Sequence, residues 1–135
     1  MKKSNRRKFI STAAALGAAT VASSMPLSPE QKSKKLVHHV FFWLKNPASV
    51  ADRDKLVAGL KTLAKIETIQ EIHIGVLAST EKRDVVDTSW QVSELMFFSD
   101  LEGQATYQTH PIHQEFIKNY SSLWEKVIVY DAITV

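Results

Sequence analysis

The chain has 135 residues, with 17 Lys and Arg against 14 Asp and Glu and no cysteine. That is the length of one domain, and it excludes disulfide bonds, thiol nucleophiles and thiolate metal ligands. The formal charge of +3 is no sign of nucleic-acid binding, because five of the basic residues and none of the acidic ones fall within the first 22 positions. The remainder carries 12 basic and 14 acidic side chains, a net charge of −2, so no nucleic-acid partner is expected.

Residues 1–22 read as an export signal. Met1 to Lys8 is basic, Phe9 to Ala22 is apolar and Ala-rich, and Thr20-Val21-Ala22 offers small residues for cleavage. The apolar run is too short to span a bilayer. Arg6-Arg7 followed by Lys8-Phe9-Ile10 resembles a twin-arginine signal. The expectation is export to the periplasm after folding, with no membrane association once the leader is removed. Residues 23–35 are rich in Ser, Pro and Lys and read as a flexible linker. The folded domain is expected over residues 36–135.

Leu36 to Leu44 predicts a strand whose two parities are both apolar: Leu36, His38, Val40, Phe42 and Leu44 against Val37, His39, Phe41 and Trp43. Both faces of such a strand should be buried. Ser49 to Ala64 predicts an amphipathic helix, capped by Ser49 with Asp52, its stripe formed by Leu56, Val57, Leu60, Leu63 and Ala64. Ile69 to Ala78 predicts a second strand, Ser79 to Ser89 a polar loop, and Trp90 to Phe98 a third strand. Glu94 falls amid Trp90, Val92, Met96 and Phe98 on one face of that strand. A carboxylate there is either paired or functional.

Ser99-Asp100-Leu101-Glu102 forms a capping box that opens a short helix, and Pro111 to Trp124 is the next helix, with Ile112, Phe116, Tyr120 and Leu123 on one face. Lys126 to Val135 predicts the last strand. The order β-α-β-β-α-β is that of an α+β, ferredoxin-like split sheet with both helices on one face. Two helices leave one sheet face bare, while the first and last strands look apolar on both sides. A homodimer stacking sheet on sheet is therefore expected.

The candidate chemistry lies in Tyr107-Gln108-Thr109-His110-Pro111-Ile112-His113. Pro111 suits the first position of a helix and makes His110 the N-cap. His113 then sits in the first turn, where the positive end of the helix dipole disfavours imidazolium and leaves a base. Tyr107 adds a hydroxyl donor beside it.

The chain resembles the stress-responsive A/B barrel (Dabb) family, dimeric α+β barrels, over Leu36 to Val135. The carriers are Val37-His38-His39-Val40-Phe41-Phe42-Trp43-Leu44-Lys45, Tyr107 with His110-Pro111-Ile112-His113, and Trp124-Glu125-Lys126 before the apolar last strand. A plant polyketide cyclase of this family works without a cofactor. The resemblance implies His113 as its general base, Tyr107 as the assisting hydroxyl and His39 as a first-strand pocket histidine. A further pocket histidine of that enzyme falls on Val92, a departure. His39 shares a strand face with Phe41 and Trp43; if that face looks toward the helices, it lines an apolar pocket closed by Trp124, Val127 and Val129 that suits a small apolar or aromatic ligand. His38 and His73 are read as structural or exposed.

Two functions stay open: a cofactor-free lyase or cyclase acting on a small carbonyl compound, and a non-catalytic periplasmic ligand-binding or stress-related dimer. A metal or haem site drawn from His110 and His113 with either His39 or Glu94 is disfavoured, because a first-turn position repels a cation. No metal or cofactor is expected.

Overall fold

The structure is a computed structural model that describes residues 34–135. The leader and nearly all of the linker lie outside the described residues.

Among the described residues seven strands and α-helices follow the expected order. They are β1 (Leu36–Leu44), α1 (Val50–Lys61), β2 (Ile69–Val76), β3 (Val92–Phe98), α2 (Leu101–Thr109), α3 (Pro111–Tyr120) and β4 (Trp124–Ile133). The four strands form one antiparallel sheet in the order β2-β3-β1-β4, a ferredoxin-like α+β fold.

Local chemistry fixes the helix ends. The Ser49 hydroxyl accepts the Asp52 N–H at the start of α1. The α-helix stops at Lys61 and tightens into a 3-10 turn over Thr62–Lys65. That change of pitch turns Ala64 to solvent, and Leu63 and Ile66 complete the buried stripe instead. At α2 the cap is Asp100, whose carboxylate accepts the Gly103 N–H, rather than Ser99. β3 begins at Val92, so Trp90 lies before it, with its indole N–H donating to the Asp87 carbonyl. α3 ends at Tyr120 in a 3-10 turn, which makes Trp124 the first residue of β4.

The core lies between the helices and one sheet face. Leu36, Val40, Phe42 and Leu44 of β1 meet Val92, Met96 and Phe98 of β3 beneath Leu56, Leu60, Leu63, Tyr107 and Phe116. Gly59 lets α1 and α3 touch: a Cβ there would meet the Tyr120 ring at 2.8 Å.

The opposite parity of β1 settles where the first-strand aromatics go. His39, Phe41 and Trp43 face away from the helices and are half-buried. Phe41 packs on His39, Trp90 and Tyr130, with ring centroids 4.3, 5.1 and 6.1 Å away. Val37, Leu95, Phe97 and Ile128 share this face by register, and no helix among the described residues covers it.

Candidate functional site

The His-Pro-x-His segment folds as its residues dictate. His110 is extended, with φ −63° and ψ 138°, and its Nδ1 accepts the Ile112 N–H at 3.1 Å. Pro111 opens α3, and His113 becomes the third residue of that helix. The other nitrogen of His110, Nε2, lies 3.6 Å from the Glu67 carboxylate at the surface. His110 therefore caps the helix.

His113 is buried against Tyr107, ring centroids 4.5 Å apart, and its Nδ1 lies 3.1 Å from the Gln108 carbonyl. A carbonyl only accepts, so Nδ1 carries the proton and Nε2 holds the lone pair. Among the described residues Nε2 has no protein hydrogen-bond partner. Burial lowers the His113 pKa; the Gln108 carbonyl opposes that shift and nearby His38 adds to it. Desolvation is thus the first cause of the shift.

Tyr107 is buried on α2, and its hydroxyl donates a long bond of 3.4 Å to Glu94 Oε1. Burial first, then the charge and hydrogen bond of Glu94, raises the phenol's pKa above its usual value. Tyr107 is therefore a neutral donor and not a phenolate. Glu94 is 1% exposed in the middle of β3. Burial pushes its pKa up to about 8, against the smaller lowering effect of the Tyr107 hydroxyl.

These groups surround a hollow of about 160 Å³ lined by His38, Val40, Phe42, Glu94, Tyr107, Gln108, His113, Phe116, Ile117, Trp124, Val127 and Val129. A cavity of roughly 150 Å³ holds one benzene-sized molecule, so the volume suits a single ring with a small substituent. The exposed lining residues, Gln108 on α2, Ile117 on α3 and Val127 and Val129 on β4, mark its mouth. Other surface hollows are larger but are lined mainly by polar side chains.

The structure brings together His113, Tyr107, Trp124, Val127 and Val129 but not His39, Phe41 and Trp43. Strand pleating puts those three on the far face, and His38 takes the position expected of His39. His38 is buried, its ring centroid 5.7 Å from that of Tyr107, and its Nδ1 lies 2.5 Å from Asp131 Oδ1 on β4. Sequence reasoning missed His38 and Asp131 as a pair because β1 is apolar on both parities. The neighbouring parity of β3, where Glu94 falls among Val92, Met96 and Phe98, was the available signal.

His113 and His39 lie on opposite sides of the sheet and His110 is engaged in capping, which separates the three histidines of the metal reading. Among the described residues no group of three His, Cys, Asp or Glu is placed to hold a metal ion.

Comparison with known families matches residues 36–134 to the stress responsive A/B barrel domain, Dabb. The chain belongs to the Dabb family. No curated protein matches it. Among solved structures it is similar to a Dabb family protein with a ferredoxin-like fold from Mesorhizobium loti, at 21% identity and TM-score 0.61, covering 76% of this chain and 98% of that one. It is similar to the hydroxynitrile lyase of Passiflora edulis at 20% identity and TM-score 0.64, over 76% and 95% of the two chains. A dimeric ferredoxin-like protein of unknown function from Bacteroides fragilis gives 22% identity and TM-score 0.59, over 74% and 96%. At these identities the likeness to the solved Dabb-like structures is one of fold.

Proposed function

We propose that this Dabb protein is a cofactor-free lyase or cyclase acting on a small, partly apolar carbonyl compound, with His113 as general base and Tyr107 as hydroxyl donor. The observation that carries this reading is the orientation of His113. Its Nδ1 is tied to the Gln108 carbonyl, so the basic nitrogen is the one left free on a ring that lines an apolar hollow. A neutral imidazole of lowered pKa accepts a proton at neutral pH, and such catalysis contributes about 10²–10⁴-fold. Tyr107 supplies the donor that a developing enolate oxygen needs. Asp131 holds His38, the second imidazole of the hollow, in one orientation.

The chain is similar in fold to a hydroxynitrile lyase, an enzyme of the proposed lyase class. Removing the hydroxyl proton of a hydroxynitrile at His113 would let the carbon–cyanide bond break, forming the carbonyl compound. The cyanide would leave with its electron pair and take up the proton.

The test is exchange of the methyl protons of acetophenone in deuterium oxide, followed by proton NMR. Wild type should accelerate exchange, and His113→Ala should abolish the acceleration while melting temperature and oligomeric state persist. Exchange undiminished in His113→Ala would overturn the assignment of the base. Binding without exchange would instead favour a ligand-binding protein.

The reading includes a homodimer formed by the bare sheet face, in keeping with the dimeric Bacteroides fragilis structure of the same fold. It also includes export through the twin-arginine leader. Fractionation that leaves the full-length chain in the cytoplasm would overturn export.

A further inference from the structure

Glu94 is the buried ionisable group that the proposed mechanism does not use. It sits at the centre of the sheet, opposite Val40 on β1 and Ile74 on β2, and lines the hollow. Its side chain has one hydrogen-bond partner among the described residues, the Tyr107 hydroxyl at 3.4 Å. That is long for an O–H···O bond, whose usual length is about 2.7–2.8 Å. A buried carboxylate is normally matched by a cation or several donors. Among the described residues no Lys or Arg lines the hollow. The titratable groups facing it are His38 from β1, Tyr107 from α2 and His113 from α3, and the charge near His38 is the anionic Asp131 of β4. None of these is a fixed cation.

We propose that Glu94 selects the ligand: its carboxyl donates a proton in a hydrogen bond to a carbonyl or oxyanion oxygen of the bound molecule, beside the Tyr107 hydroxyl. This rests on the reading of the hollow as a site for a small carbonyl compound and deepens it. A carboxylic acid in apolar surroundings is a donor, and burial favours that uncharged form at neutral pH. The Tyr107 bond occupies Oε1 only weakly, so both hydroxyls can turn toward one acceptor oxygen. The selected class is therefore uncharged carbonyl compounds with a body about the size of one aromatic ring. An amine would need Glu94 ionised, and a ligand carboxylate would meet no Lys or Arg among the described residues.

The experiment measures calorimetric affinity for acetophenone, ethylbenzene and benzylamine in wild type, Glu94→Gln and Glu94→Leu, with infrared spectra of the same proteins. Wild type should bind acetophenone about tenfold more tightly than ethylbenzene, the worth of one hydrogen bond to a buried donor. Glu94→Gln keeps a donor and should retain the preference, whereas Glu94→Leu should lose it. Wild-type preference should fade as pH rises through about 8 and that of Glu94→Gln should not. At pH 7 the infrared spectrum should show a protonated carboxyl band that Glu94→Gln removes.

Tighter binding of benzylamine than acetophenone, or no such band at pH 7, would overturn the proposal. Equal affinity of wild type for acetophenone and ethylbenzene would overturn it while leaving the hollow as an apolar site. Failure of wild type to bind either would overturn the site itself, and the role of Glu94 with it.

Discussion

His38 and Asp131 stand directly opposite each other on β1 and β4, and their side chains meet with Nδ1 2.5 Å from Oδ1. The contact ties the edge strand to the centre of the sheet beside the hollow. A histidine that is 5% exposed thereby orients its second nitrogen without solvent's help. Asp131→Asn should lower stability by about 0.5–1.5 kcal/mol, since hydrogen bonds to charged groups are worth about 1.5–3 kcal/mol when buried and the carboxylate side is half exposed. Urea denaturation of the variant, with unchanged m-value, checks this.

His113 and Glu94 respond to pH in opposite directions. The His113 pKa is lowered in the fold, so its contribution to stability is present above the unfolded value of 6.5 and is lost as pH falls below it. The proton-abstracting form should likewise persist below pH 6.5, which places the acid limb of the exchange-rate profile on the acid side of that value. A profile whose acid limb lies above it would refute His113 as the base.

Glu94 has its pKa raised from 4.5 to about 8. Its stabilising contribution is complete below pH 4.5 and is lost as pH climbs to about 8, with a slope approaching about 1.4 kcal/mol per pH unit. Glu94→Gln should flatten that decline. The difference in unfolding free energy between variant and wild type, measured at pH 5 and pH 8, should grow in the variant's favour.

Gly59→Ala should destabilise the domain by about 1–3 kcal/mol, the usual cost of overpacking. The added methyl would improve helix propensity by up to about 1 kcal/mol, but it would strike the Tyr120 ring, which stacks on Phe116. A higher melting temperature in the variant would show that the ring moves freely.

Phe41→Asp places a charge at the centre of the bare sheet face. Sedimentation should show wild type as a dimer and the variant as a monomer, because burying an unpaired carboxylate costs far more than its neighbours return. Helical content should remain, since Phe41 faces away from α1, α2 and α3.

The ferredoxin-like order and the His-Pro-x-His helix start were legible because they depend on local signals: strand parity, caps, and a proline that fixes its own φ. The composition of the hollow was less so. β1 is apolar on both parities, and a shift of one residue exchanges every side chain between faces. His38 and His39 are adjacent, and only the packing of β1 beneath α1 and α3 decides which one enters. Asp131 was silent for a similar reason: its partner lies 93 positions earlier in the chain. Glu94, by contrast, announced itself, because an acid amid Val92, Met96 and Phe98 demands an explanation at any register.

The mouth of the hollow runs along β4, an edge strand where Val127 and Val129 are 43% and 45% exposed. Under the proposed reading those two positions would meet an entering ligand, and they stand outside the buried core. Substitution there can enlarge or narrow the opening while the imidazoles and the carboxyl stay in place beneath. Under the proposed reading, a change at the doorway would alter what is admitted and leave the hearth untouched.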